Sequence, residues 1–447
     1  MEGNKCVRVN RNYIVAIIGI WFLGAVPQAM GQDSPYEVSP IVINVYSLLA
    51  SNPQVKKGVD AIKVDHENTI VEQKQICEIP APPFKEQIRA ADYQKRLAAL
   101  GLRDVQMDKE GNVFGLRPGA GKGPKLLVCA HLDTVFAEGT DVKVKERDGK
   151  LYAPGIADDA RGLAALLSII RAFNASGIKT VGDIVFCGNV GEEGLGDLRG
   201  VKALFRDHRD IDGFITIDGT GADKITYLAT GSHRYLITYK GEGGHSFRAF
   251  GRPSAIHALG RSIAQIADLK PPREPKTTFT VGVIRGGTSV NSIAAEASME
   301  FDMRSDNERE LLELEAKFLE IVKKAAADEN ARWRSDKITT QIKMVGDRPA
   351  GVQPPDSIIV QAAWAATQII GQKPKLGEAS STDSNLPISL GIPSLTLGGG
   401  GKDDYNHAPG EWFDPTNAYQ GPQRIFLTIL GLVGVDGVSE PLLSLRK

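Results

Sequence analysis

Five side chains able to ligate a divalent cation stand in order along the chain: His131, Asp158, Glu193, Asp218 and His407. Each falls where a buried strand, or the loop that follows it, should end. Ligands of open α/β sheets bind at the carboxyl ends of the strands, so this placement predicts a two-metal hydrolase. Such a site must hold two cations about 3.5–4 Å apart, which needs a bridging carboxylate, neutral imidazoles and further carboxylates, with positions left open for water. Asp158 is the natural bridge, because a Pro154-Gly155 turn and the start of a helix fix its backbone. His131 and Asp218 would complete one metal, Glu193 and His407 the other. Asp133, two residues beyond His131, fits the role of orienting and polarising that imidazole. Glu192 and Glu193 are adjacent on a glycine-flanked loop and cannot both face one metal. One binds, while the other takes a proton from water and passes it to the leaving amine.

The elements that must position these residues follow from the apolar pattern. Residues 126–130, 184–187 and 214–217 are short apolar runs of the kind buried on both faces of a parallel sheet. After Asp158, Leu163, Leu166, Leu167, Ile170 and Phe173 recur at helical spacing, and Gly177 ends that helix. Strand, helix and strand in this order predict a mostly parallel α/β sheet sandwiched by helices. Ahead of it, residues 41–100 read as helical, and two short strands flank a turn at 110–112. From about residue 230 the pattern changes to alternation of polar and apolar residues, in 234–240 and again in 296–304, which suits a sheet with one wet face. With a helix over 253–269, a strand near 278–284, a charged helix from Glu308 to about residue 330 and a strand over 338–345, the order is βαββαβ. That is a ferredoxin-like α+β arrangement, inserted in the first domain. The domain boundaries expected are 1–31, 32–229, 230–345 and 346–447, the second and fourth forming one catalytic domain.

Length and composition set the frame. A chain of 447 residues exceeds what one core usually holds. Lys5, Arg8 and Arg11 precede an apolar stretch over 14–26, and Ala29-Met30-Gly31 offers small residues for cleavage, the pattern of a secretory signal peptide. That stretch has 13 residues, short of the roughly 20 a membrane-spanning helix needs. An exported protein, periplasmic or secreted, with no stable membrane anchor is therefore expected. The leader, with three basic residues and one acidic, carries +2, so a mature chain derived from a total of −1 carries −3. Such a charge gives no attraction for nucleic acid. The mature chain keeps Cys77, Cys129 and Cys187, an odd number with two inside apolar strands, which does not indicate a disulfide framework.

Taken together, His131-Leu132-Asp133, Gly155-Ile156-Ala157-Asp158-Asp159, Glu192-Glu193-Gly194, Asp218, and His407 with Glu411 four residues on resemble one known family. It is that of the co-catalytic zinc peptidases and deacylases, which includes aminoacylase, tripeptidase T, carboxypeptidase G, carnosinase and acetylornithine deacetylase. The resemblance covers nearly the whole mature chain. It implies two zinc ions, with cobalt or manganese possible alternatives, Asp158 as bridge, Glu193 as ligand, Glu192 as general base, and an inserted domain serving as lid or dimerisation surface. It adds three candidates in that domain. His245, in Gly243-Gly244-His245-Ser246, resembles a donor to the developing oxyanion that often reaches the partner subunit's site. Asn291 and Arg304 resemble substrate-binding positions. The resemblance also implies a homodimer formed through the inserted domain.

Between branches of that family, Asp at the fourth ligand is usual in enzymes that release amino acids from a free amino terminus, and here it is Asp218. The segment 79–84, Ile-Pro-Ala-Pro-Pro-Phe, resembles tripeptidase-like members as well. The expectation is thus an exported dinuclear zinc exopeptidase acting on short peptides from a free amino terminus, by a metal-bridging hydroxide with Glu192 as base. A carboxypeptidase or N-acyl amino acid deacylase with the same metals is the alternative. A non-catalytic peptide-binding protein of the same fold is the second.

Overall fold

The computed structural model describes residues 36–446; the signal-peptide assignment to residues 1–31 lies outside them. From Val38 onward the chain forms one compact body built on two large sheets.

The first sheet has eight strands in the order Arg103–Met107, Val113–Arg117, Asp183–Asn189, Lys125–His131, Gly213–Ile217, Ser394–Leu397, Lys224–Thr226 and Lys375–Leu376. Asp183–Asn189, Lys125–His131, Gly213–Ile217 and Ser394–Leu397 run parallel at its centre. Their side chains are buried on both faces, which is why these segments read as unbroken apolar runs. The helix Ala160–Ser176 starts at Asp159, whose carboxylate accepts the Gly162 N–H at 3.0 Å, and ends at left-handed Gly177. Asp159 is thus a helix cap. Gly162 is needed there, because a Cβ would stand 2.2 Å from the Asp159 carboxylate.

The helical region expected over 41–100 is four helices, Pro40–Ser51, Pro53–Val64, His66–Cys77 and Gln87–Ala99. The first break falls at Asn52, whose side chain accepts the Gln54 and Val55 N–H groups ahead of the turn begun by Pro53. The last is the proline-rich segment 80–83, which cannot continue a helix.

The second sheet is antiparallel, in the order Thr277–Gly286, Glu296–Ser305, Gly231–Lys240 and Thr339–Arg348. Helices Ala255–Ala267 and Glu308–Trp333 pack on one face. Tyr235, Ile237, Met299, Phe301 and Phe318 share that core, and the Phe301 and Phe318 rings stack at 4.0 Å. Strand order and helix placement are those of a ferredoxin-like unit. The opposite face carries Arg234, Asp302 and Arg304 at the end nearest the first sheet. A four-stranded sheet of three-residue strands, Lys402–Asp404, Trp412–Asp414, Lys150–Tyr152 and Lys145–Arg147, was not anticipated. Its strands are short and largely charged, so they present no apolar period to read. No helix among the described residues is long and apolar enough to cross a membrane. Cys77, Cys129 and Cys187 are free and buried.

Candidate metal centre and its cavity

The parallel strands deliver their ligands to one end of the first sheet. His131 closes the strand Lys125–His131. Its Nδ1 lies 3.0 Å from the Asp133 main-chain carbonyl, and its Nε2 lies 2.9 Å from Asp158 Oδ1. The other Asp158 oxygen lies 3.0 Å from His407 Nε2, which is also 3.1 Å from Glu193 Oε1. One carboxylate thus offers a separate oxygen to each of two imidazoles, the arrangement of a bridging ligand. Ligand atoms of His131, Asp158 and Glu193 all lie within 4.8 Å of one another. Asp218 follows the strand Gly213–Ile217 and lines the same cavity as Asp158, Glu193 and His407.

The electrostatics reflect this crowding. Burial pushes the Asp218 carboxyl up to about 7, with the nearby Asp158 and Glu193 charges adding to the effect. Asp158 is held well below the usual carboxylate range, because its bonds to His131 and His407 outweigh burial. The same contacts with Asp158 and Glu193 push His407 up to about 10. Two imidazoles, His131 buried and His407 exposed, gathered with three carboxylates at one end of the sheet are a donor set suited to divalent cations. These residues could hold two such ions.

Asp133 faces His131 Nδ1 as expected, with its main-chain carbonyl nearer than its side chain. The carboxylate stands 3.7 Å from Nδ1, and its oxygens accept the N–H groups of Gly191, Glu192 and Glu193 at 2.9, 3.2 and 2.8 Å. Asp133 orients the imidazole through its carbonyl and moulds the Glu192-Glu193 loop through its side chain. Three convergent N–H donors claim the carboxylate, which leaves the carbonyl to face the ring.

Two residues whose roles the sequence did not disclose complete the frame. Glu411 is fully buried, and its carboxylate accepts the N–H groups of Gly155, Ala157 and Asp158 at 2.8, 2.8 and 3.1 Å, fixing the turn that carries the bridge. Its place four residues after His407 was visible as part of a motif. Arg348, at the end of the inserted sheet, donates to Glu192 Oε1 at 3.1 Å, to the Glu192 carbonyl, and to Ser381 Oγ at 3.2 Å. Burial pushes the Glu192 carboxyl well above its ordinary range, and Glu193 adds to this, while the Arg348 charge opposes it. No sequence spacing ties Arg348 to Glu192, which lies 156 residues away.

The cavity beside these ligands has a volume of about 470 Å³, within the roughly 300–1,000 Å³ common for small-ligand sites. No aliphatic side chain lines it. Threonines and serines do, together with the cations Lys224, Arg234, Arg304 and Arg348. Arg304 therefore joins the site, and its Nε shares Asp302 with Arg234. His245 and Asn291 do not line the cavity. His245 lies exposed in a two-strand ribbon and Asn291 exposed next to it, where His245 Nδ1 accepts the Phe247 and Arg248 N–H groups and Asn291 Oδ1 accepts the Ser289 hydroxyl.

Known proteins agree with this architecture. A succinyl-diaminopimelate desuccinylase of Nitrosospira multiformis is 27% identical over 259 residues, spanning 54% of this chain and 68% of that protein. The crystal structure of aminopeptidase PepT from Bacillus cereus shares the fold with a TM-score of 0.65 at 22% identity, covering 81% of this chain and 98% of that one. The YXEP protein of Bacillus subtilis, described as a dinuclear metal binding peptidase, superposes with a TM-score of 0.62 at 17% identity, over 83% of this chain and 99% of its own. The profile of peptidase family M20/M25/M40 matches residues 127–430, a span that begins in the strand leading to His131 and runs past His407. The chain belongs to that family.

Proposed function

We propose that this protein is an exported dinuclear zinc exopeptidase that hydrolyses short peptides from a free amino terminus. The observation that carries the reading is the Asp158 carboxylate set between His131 and His407, with Glu193 and Asp218 beside it and Glu192 next in the chain. Two divalent ions held there would polarise the scissile carbonyl and lower the pKa of water to about 7. The remaining work falls to side chains. Arg348 engages Glu192 Oε1, so Oε2 takes the proton of the attacking water and returns it to the leaving amine. Arg304 and Arg234 take the substrate carboxylate as charge-assisted donors. His245 acts from the partner subunit of a homodimer as an oxyanion donor. Its exposure, beside Phe247, Phe250 and Val290, which stand 87%, 80% and 104% exposed, supports that assembly. Export rests on the basic and apolar order of residues 5–26.

A second reading, an N-acyl amino acid deacylase or carboxypeptidase, is favoured by the desuccinylase relatives and by the four cavity cations. The test is hydrolysis of matched free-amine and N-acetylated di- and tripeptides by zinc-loaded protein, with Glu192→Ala as control. Cleavage confined to free amines and lost in the variant is expected. Preference for acetylated substrates would move the protein to the second reading. Absence of Glu192-dependent cleavage of either would refute both.

A further inference from the structure

Five carboxylates line the cavity: Asp158, Glu192, Glu193, Asp218 and Asp403. The first four belong to the proposed metal and proton-transfer groups. Asp403 is left over.

Its position is built rather than incidental. Asp403 sits on the strand Lys402–Asp404, opposite Phe413 in the small sheet, and four residues before His407. Its Oδ2 accepts the Asn406 side-chain N–H at 2.7 Å, and its other oxygen accepts the Thr220 hydroxyl. Thr220 stands two residues past Asp218, and Asn406 immediately precedes His407. The carboxylate is therefore held between the two loops that bring a ligand from either side of Asp158. A carboxylate has about four acceptor positions, and the two contacts use half of them.

The charges around it identify what the rest would accept. Arg348 is committed to Glu192, Arg234 and Arg304 share Asp302, and Lys224 alone of the four forms no ion pair among the described residues. Asp403 has no ion-pair partner among the described residues, although four cations line the same cavity. A substrate ammonium group entering a site that holds two divalent cations meets repulsion unless an uncommitted anion faces it. A neutral N-acyl group meets none.

We propose that Asp403 is a specificity-determining residue that receives the α-ammonium group of the substrate. This fixes the substrate class as short zwitterionic peptides, with the ammonium at Asp403 and the carboxylate on the arginines of the inserted sheet. The inference rests on the exopeptidase reading above and deepens it.

The test compares trialanine with N-acetyl-trialanine on zinc-loaded full-length protein, in the wild type, Asp403→Asn and Asp403→Glu. Loss of a charge-assisted bond weakens binding about 10- to 150-fold. The ratio of kcat/KM for free over acetylated substrate should fall by that factor in Asp403→Asn, through KM for trialanine. Asp403→Glu, which keeps the charge, should recover part of it. An unchanged ratio, or an equal loss on both substrates as expected of a loop staple, would overturn the proposal. If the wild type already prefers the acetylated peptide, the exopeptidase reading fails on its own, whatever the variants do.

Discussion

Removing Glu411 tests whether the turn carrying the bridging aspartate is held by a side chain more than 250 residues away. In the native protein three N–H groups, from Gly155, Ala157 and Asp158, end on one buried carboxylate. Glu411→Gln can keep the Ala157 and Asp158 bonds on its carbonyl oxygen, but its amide then faces the Gly155 N–H donor to donor. One bond is lost and a buried donor is left unsatisfied, a cost of about 1–3 kcal/mol. Glu411→Ala abandons all three donors, so its cost should be about 3 kcal/mol or more. Displacement of the turn should also reach the metal ligands, because losing an outer-shell partner of a ligand typically weakens metal binding about 10- to 100-fold. Urea unfolding of metal-free protein reads the first effect, and zinc competition against a chromophoric chelator reads the second. The order wild type, Glu411→Gln, Glu411→Ala should appear in both. Zinc affinity unchanged in Glu411→Ala would refute the claim that this carboxylate positions Asp158.

Further consequences can be checked one residue at a time. Arg348→Met strips Glu192 of its cationic partner, so its pKa rises further; the acid limb of the kcat/KM profile should move to higher pH and kcat should fall, whereas an unmoved limb would show that Arg348 does not act through Glu192. Gly162→Ala, which helix propensity alone would favour by about 1 kcal/mol, should instead destabilise the protein in urea, because the new Cβ meets both Asp159 oxygens at 2.2 and 2.4 Å. His233 is raised above its ordinary pKa: burial opposes the shift, but Asp347 and Glu315 outweigh it. Its contribution to stability is therefore full below the unfolded value of about 6.5 and lost as pH rises through the folded one. The stability gap between wild type and His233→Gln should be larger on the acid side of that window than on the alkaline side.

What was legible in the chain follows a physical rule. Strands buried on both faces advertise themselves as apolar runs, and a His, Asp or Glu breaking such a run at its end is conspicuous, so His131, Glu193 and Asp218 could be placed from sequence. Alternation likewise exposed the inserted sheet and its single helical layer. Partnerships across the fold had no such signal. Nothing local shows that Arg348 meets Glu192, that Glu411 holds Gly155, or that Asp133 spends its carboxylate on three N–H groups. Contacts of that kind depend on which loops the topology brings together. The positions of His245 and Asn291 illustrate the same limit. Their motifs suggested substrate contact, and within one chain they lie away from the cavity. Short strands such as Lys145–Arg147 and Trp412–Asp414 escaped because three residues cannot display a period.

The most direct test of the account is the zinc content of the purified protein by native mass spectrometry, compared with Asp158→Ala. Two ions per chain are predicted for the wild type, and at most one for the variant, since the shared carboxylate is what lets two cations sit side by side. A wild type that holds fewer than two, or a variant that still holds both, would contradict it.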